Sequence, residues 1–259
     1  MNFDELKLFL DEKFEEYNHH RFIETDPIQI PHQFTSKEDI EIIGFLIATI
    51  AWGNRKSILK SSEKVVNYLE GEPYNFILNH TENDLKKIER CVHRTFNSED
   101  LIYFIKSLQN IYKNRGGLEK IFSTHKDESN TFYAIERFRK VFFEILPLQR
   151  TQKHVSSPLK NSSSKRINMY LRWMVRKDNK GVDFGLWQSI SPSQLMCPLD
   201  IHSGNTARTL KLLNRNQNDW KSVVELTNNL KKFDKDDPVK YDYSLFGLGV
   251  FENFVNKFK

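Results

Sequence analysis

The stretch Ile40–Trp52, IEIIGFLIATIAW, is apolar on nearly every side and contains neither proline nor a turn signal. A strand this long would be exceptional, whereas a helix with no polar face belongs at the centre of a helical bundle. Ser36 stands before it in an S-K-E-D pattern, and its spacing to Asp39 suits a capped helix start. Gly53 and Asn54 interrupt it. Residues Phe3–Tyr17 predict an amphipathic helix with Phe3, Leu6, Phe9, Leu10 and Phe14 on one face. Asp26-Pro27 and Ile30-Pro31 force an extended connector between the two.

Beyond that centre, helical patterns fall near Ser57–Leu69, Thr81–Cys91, Ser98–Asn114 and Asn130–Leu146. A polar stretch from Pro147 to Ser164 reads as a loop leading into a strong helix over Lys165–Arg176. Gly181–Trp187 reads as a short strand or an irregular excursion, and a helix is expected from Asp200 to about Leu213. DPVKYDYSLFGLGVF (237–251) combines a proline-marked start with an apolar body. The fold class is therefore all-α, and no repeat period points to a solenoid.

Composition agrees. Of 259 residues, 39% are hydrophobic and 20 are Phe, which supports a substantial core. Ten glycines and eight prolines are too few for an all-β chain of tight turns. Two cysteines, Cys91 and Cys197, cannot build a disulfide framework, a four-cysteine zinc site or a cysteine-ligated iron–sulfur cluster. The acidic, amphipathic start is unlike a secretory signal, and no uncharged apolar run reaches membrane-spanning length. A cytoplasmic protein without a membrane partner is expected.

The formal net charge is only +5, but about eight basic residues against one acid, Asp178, lie between Lys153 and Lys180. In SSSKRINMYLRWMVRK (162–177), helical spacing puts Ile167, Tyr170, Leu171 and Met174 on one face. Lys165, Arg172 and Arg176 fall along another, which could offer cations to an anionic backbone or be a solvated basic face. The serines Ser162, Ser163 and Ser164 precede a helix N-terminus, a favourable place for phosphate. In CPLDIHSGNTARTLKLL (197–213), Asp200 stands where an N-cap belongs, and a capped carboxylate has a fixed orientation. The tryptophans Trp52, Trp173, Trp187 and Trp220 read as core, His19-His20 as surface and Asp236-Asp237 as a helix cap. The scattered histidines contain no paired ligand spacing, so neither a metal nor a cofactor is expected, although Asp200 and His202 could join another histidine around an ion.

PLDIHSGNTARTL (198–210) resembles the segment of helix-hairpin-helix DNA glycosylases that reads roughly P-V-D-x-H-x-x-R-x-A-x-R-L. The resemblance implies that Asp200 is catalytic, that His202 follows it, and that Ala207-Arg208 is the small-basic pair. IEIIGFLIATIAWGNRKSI resembles the buried opening helix of that fold, which ends near the lesion, here at Gly53 and Asn54. In bifunctional members a lysine after the hairpin attacks the sugar; Lys165 matches, with Arg166 as the neighbouring register. The family hairpin reads L-P-G-x-G, while this chain has LKNSSSK (159–165), in which Asn161 can take a left-handed turn. About 35 residues separate Lys165 from Asp200, so DNKGVDFGLWQSISPSQ (178–194) could loop out between them. The missing cysteines exclude the iron–sulfur cluster of the endonuclease III branch.

Over nearly its full length the chain also resembles the bacterial family called domain of unknown function 2400, through the segments around Lys165, Asp200 and Tyr241. The two resemblances together imply a two-lobed helical bundle of the helix-hairpin-helix glycosylase type. One lobe would span 36–180, with a hairpin-like turn near 158–165; residues 1–35 and 181–259 would form the other. The implied partner is double-stranded DNA, contacted by Asn54, Ser162, Ser163, Ser164, Arg166, Arg172, Arg176, His202 and Arg208. The implied activity is base excision, with Lys165 as a Schiff-base nucleophile and Asp200 as the stabilising carboxylate. Arg166, Arg172 and Arg176 would favour the neutral lysine by like-charge repulsion. The competing readings are a non-catalytic sensor of DNA or RNA structure on the same scaffold and a scaffold for an acidic protein partner.

Overall fold

The computed structural model describes residues 1–145 and 149–255 and is mostly helical. In chain order the helices are α1 (Phe3–Tyr17), α2 (His20–Thr25), α3 (Lys37–Ile50), α4 (Arg55–Tyr68), α5 (Pro73–Asn79) and α6 (Glu82–Lys86). A two-stranded hairpin of β1 (Cys91–His93) and β2 (Phe96–Asn97) follows. Then come α7 (Ser98–Asn110), α8 (Leu118–Phe122), α9 (Phe132–Phe142), α10 (Lys165–Val175), α11 (Ile201–Thr209), α12 (Trp220–Leu230) and α13 (Tyr241–Val250). The expected helix end at Leu146 and loop start at Pro147 lie outside the described residues.

The chain divides into two compact units, one of Met1–Phe22, Thr124–Tyr133 and Ser157–Lys259, the other of Ile23–Ser123 and Ala134–Ser156. Residues 158–180, expected with the central lobe, thus cluster with the two chain ends. Within that unit Arg172 of α10 and Arg176 at its C-cap pair with Asp242 and Asp237 from the C-terminal segment.

The larger internal segment is built around α3. Every residue from Ile40 to Ile50 is buried, and Ser36 caps the helix by accepting the Asp39 N–H at 3.2 Å. Asp39 in turn accepts the N–H of Tyr74 at 2.8 Å, tying the start of α5 to the start of α3. Phe45 packs against Phe104, Phe138 and Phe142 with ring centroids 5.2 to 5.6 Å apart. Even Glu41 is buried, where it accepts the Tyr112 hydroxyl at 2.7 Å. At the end of α3, Gly53 has φ +100°, and the Arg94 guanidinium fills the place where a Cβ would be.

The helix expected over Thr81–Cys91 stops at Lys86, although Thr81 and Asp84 form the capping box that starts it. His93 explains the switch: its ring lies between the Ser61 hydroxyl and the Trp52 carbonyl, each 2.9 Å away. Those partners are remote in sequence and draw the segment into an extended hairpin. Asp100, fully buried at the start of α7, accepts from Thr151, Arg150 and the Asn97 N–H at 2.8 to 3.0 Å. His154 Nε2 lies 3.2 Å from it at ion-pair distance. Burial raises the Asp100 pKa, but His154 and these hydrogen bonds outweigh burial and hold it at about 2. A depressed carboxylate stabilises above its unfolded pKa and loses that contribution as pH falls through the folded value. Urea titrations are therefore expected to show the stability advantage over Asp100→Asn shrinking by about 2 kcal/mol between pH 5 and pH 2. A constant difference would contradict this assignment.

In the unit of the chain ends, α1 packs on α13. Leu10 is fully buried, its carbonyl accepts the Ser244 hydroxyl at 2.7 Å, and Asp11 accepts the Tyr241 hydroxyl at 2.8 Å. Gly247 lets the Tyr17 ring lie where a Cβ would be. Trp173, Trp187 and Trp220 are core residues as expected, while Trp52, in the other unit, is half-buried between His93 and His154.

Candidate functional site

Lys165 opens α10 and Asp200 immediately precedes α11, and the fold brings Lys165 Nζ to 3.7 Å from Asp200 Oδ2. Both side chains are about one-quarter exposed, at 24% and 27%, so solvent or a ligand can reach them. Asp200 is held by its helix: Oδ1 accepts the N–H groups of His202 at 2.8 Å and Ser203 at 3.0 Å. The Ser203 hydroxyl accepts the Asp200 N–H at 3.0 Å, completing the capping box. Oδ1 is thus committed to the backbone, and Oδ2 is turned toward the lysine. Lys165 Nζ also lies 3.5 Å from the Met169 sulfur.

The turn before α10 has an unusual backbone. Pro158–Lys160 is one 3-10 turn, and Asn161 closes it in the left-handed region with φ +58°. The asparagine does what the sequence reading allowed it to do. Its carbonyl accepts the Trp220 N–H at 3.3 Å, and its side chain donates to Asp219 at 3.0 Å. Ser164 is also left-handed at φ +48° and forms no side-chain cap on α10. Ser162 Oγ accepts the Ser164 N–H at 3.2 Å, while the Ser163 carbonyl accepts from Asn168 at 3.1 Å. Ser162 and Ser163 are half-buried beside Lys165, and Ser164 is buried.

Arg172 and Arg176 are not on a cationic surface. Every residue from Ile167 to Val175 is buried, as is Arg176. Arg172 donates to Asp183 at 3.2 Å and to Asp242; Arg176 reaches Asp178 at 2.7 Å, Asp183 at 3.2 Å and Asp237 at 2.9 Å. The Arg172 guanidinium also lies 4.3 Å from the centroid of the Tyr243 ring. Two guanidiniums facing four carboxylates present no net positive field, so the like-charge repulsion expected at Lys165 does not come from them. Asp237 stands at the N-cap position of a 3-10 turn but makes no capping bond; its carboxylate serves Arg176 instead.

The remaining expected residues are dispersed. Arg166 is half-buried beside Lys165, and burial lowers its pKa to about 10. His202 is exposed one residue past Ile201. Arg208 braces the following loop, donating to the Arg215 carbonyl at 2.9 Å and to Asn218 at 2.6 Å. Asn54 is exposed in the other unit, where it caps α4 through the Ser57 N–H at 3.4 Å. The segment between Lys165 and Asp200 does not loop out. Phe184 and Trp187 donate N–H groups to the Trp173 and Met174 carbonyls at 2.8 and 2.9 Å, and Trp187 packs edge-on against Tyr170. Among the described residues, no group of three His, Cys, Asp or Glu side chains is placed to hold a metal ion.

Asp242 escaped the sequence reading because a carboxylate inside an apolar tail reads as a solvent-facing position. It is buried on the first turn of α13, where it accepts from Arg172. Its pKa is pushed up to about 6, chiefly by burial; Arg172 and Lys165 act the other way, and Asp200 adds to the rise. Cys197, fully buried just before Asp200, is pushed up by burial and again by Asp242.

Among the described residues, no helix is long and apolar enough to cross a membrane. Neither a curated protein nor a solved structure matches the chain. A family model described as a protein of unknown function, DUF2400, matches residues 26–251, which include Lys165, Asp200 and the whole buried arginine network. On that match, spanning most of its length, the chain belongs to the DUF2400 family.

Proposed function

We propose that the protein is a DNA base-excision enzyme of the helix-hairpin-helix glycosylase type, with abasic-site lyase activity carried by Lys165. The observation that carries this reading is the one-quarter-exposed lysine 3.7 Å from a carboxylate fixed as a helix cap. A flipped nucleotide would place its C1′ at the lysine. The neutral amine attacks C1′, the bond to the base breaks and the base leaves with that electron pair. Loss of the amine proton and ring opening then give an imine between Nζ and C1′. Asp200 stabilises the positive charge developing at the sugar, an interaction strongest in the transition state. The α10 N-terminus, with Lys165 and Arg166 beside it, supplies N–H groups and charge for the flanking phosphate.

The test is borohydride trapping. Incubation with duplex DNA carrying an abasic site, followed by reduction, should link the chain to DNA through a secondary amine at Lys165. Base release should be assayed on a panel of lesion-bearing duplexes. Salt-dependent binding without an adduct or base release on any duplex would replace this reading with the non-catalytic sensor.

A further inference from the structure

Lys165 and Asp200 stand at the starts of different helices, and neither start fixes the other. The capping box orients the Asp200 carboxylate on α11 but does not set where that helix stands relative to α10. A partly exposed pair 3.7 Å apart is screened and contributes little to holding itself together. The loop before α12 supplies the link. The Asn218 side-chain amide donates to the Asp200 carbonyl at 3.0 Å, beside the Gly204 N–H that the same carbonyl accepts within α11. Its neighbour Asp219 bridges to Ser162 through the backbone and accepts the Asn161 amide at 3.0 Å. The Trp220 N–H adds a bond to the Asn161 carbonyl at 3.3 Å. Asn161 and Ser162 belong to the turn that runs directly into Lys165. Consecutive residues thus grip the two halves of the site, Asn218 the carboxylate side and Asp219 the lysine side.

Both are themselves fastened. Asn218 Oδ1 accepts from Arg208 at 2.6 Å, and Gly204 leaves room for the amide on α11, where a Cβ would collide with Asn218 Oδ1. Asp219 is held by Arg215 at 2.5 to 3.0 Å and caps α12 through the Ser222 N–H at 3.0 Å. Arg208 also donates to the Arg215 and Gln217 carbonyls at 2.9 and 3.3 Å, so the loop keeps its own bracing without the Asn218 amide. We propose that Asn218 is a positioning residue for the Lys165–Asp200 pair, acting through the Asp200 backbone to set the carboxylate against the lysine. In a reaction it contributes orientation, where a displacement of about 1 Å can cost about a hundredfold in rate. That consequence rests on the lyase reading; the placement of Asp200 does not.

The placement is read in the full chain by the side-chain nitrogen-15 NMR signal of Lys165, identified by its loss in Lys165→Gln. Asp200→Asn marks where that signal goes when the charged partner is removed. Asn218→Ala should move it toward the Asp200→Asn position, and so should Gly204→Ala, which displaces the amide without altering it. The Trp220 backbone amide signal should stay in place in both, because its bond to Asn161 does not involve Asn218. A Lys165 signal unmoved in both variants overturns the proposal. So does a Lys165 shift accompanied by loss of the Trp220 signal, since the loop has then melted and Asn218 is a brace. With an active enzyme, Asn218→Ala should slow single-turnover adduct formation about tenfold to a hundredfold while the Kd for the same duplex stays within about twofold. A native rate, or a loss confined to Kd, overturns the kinetic role. Failure of the native chain to form any adduct sinks the lyase reading alone, because the lysine signal still decides the positioning.

Discussion

Replacing Arg172 by glutamine is expected to destabilise the unit of the chain ends by about 3–5 kcal/mol. The arginine is 4% exposed and is bonded to two carboxylates, Asp183 and Asp242, that are themselves buried. An amide of similar length can donate one hydrogen bond but carries no charge. Asp183 would retain Arg176, while Asp242 would lose its direct cationic partner. The cost is the desolvation of a carboxylate left unpaired, which exceeds the worth of any single hydrogen bond. Urea unfolding should show a lower midpoint with an unchanged slope, the mark of a stability change alone. The deficit should be smaller at pH 5 than at pH 8, since Asp242 can shed its unpaired charge by taking up a proton. Exposed Lys177→Gln, next in sequence to Arg176, is the control and should stay within about 0.5 kcal/mol. If Arg172→Gln instead unfolds like the native chain and only loses DNA affinity, the arginine is a surface contact and the buried network is wrong.

The second large effect concerns activity with little change in stability. Lys165→Gln should abolish the trapped adduct and lower strand cleavage by about a thousandfold or more, because an amide forms no imine. Its folding penalty should stay under about 1 kcal/mol, since the pair with Asp200 is partly exposed and screened. Asp200→Asn separates two roles. The amide oxygen can still cap α11 through the His202 and Ser203 N–H groups, so stability should fall by only a fraction of the about 1 kcal/mol that a lost cap costs. The charge that stabilises the sugar is gone, and turnover should fall about a hundredfold or more. Asp200→Ala should lose both. Equal trapping by the native chain and Lys165→Gln would remove Lys165 from the mechanism and turn attention to Arg166 and other amines.

Much of the framework was legible in the sequence because it depends on neighbours within one or two helical turns. Phe3–Tyr17 is a helix with the expected bounds, Ser36 caps α3 through Asp39, and Asp200 caps α11. The short helices α2, α5 and α8 escaped notice because they are too brief to show a period. The helix expected over Thr81–Cys91 ends at Lys86, and the β1–β2 hairpin has no local signal, because the residues holding His93, Ser61 and Trp52, lie 32 and 41 positions away. Of the site, Lys165 and Asp200 were named from local pattern and resemblance. Their approach across 35 residues depends on the 177–199 segment folding back onto α10 through Trp187, which no helical or strand period announces.

The arginines show most clearly where local information ends. Helical spacing places Arg172 and Arg176 four apart on one stripe, and in the structure Arg172 lies in α10 with Arg176 at its C-cap. Whether it meets water, phosphate or carboxylates is decided by Asp183, Asp237 and Asp242, up to 70 positions further along. By itself the sequence determined an all-α chain with a wholly apolar central helix, two capped helix starts and one local basic excess, because propensity, periodicity and capping act over a few residues. Only the tertiary structure decided that Arg172 and Arg176 are neutralised inside, that Lys165 meets Asp200, and that Arg172 holds a buried Asp242. The reason is that Coulomb interactions and burial act through space, and the partners they select are brought together by packing rather than by order along the chain.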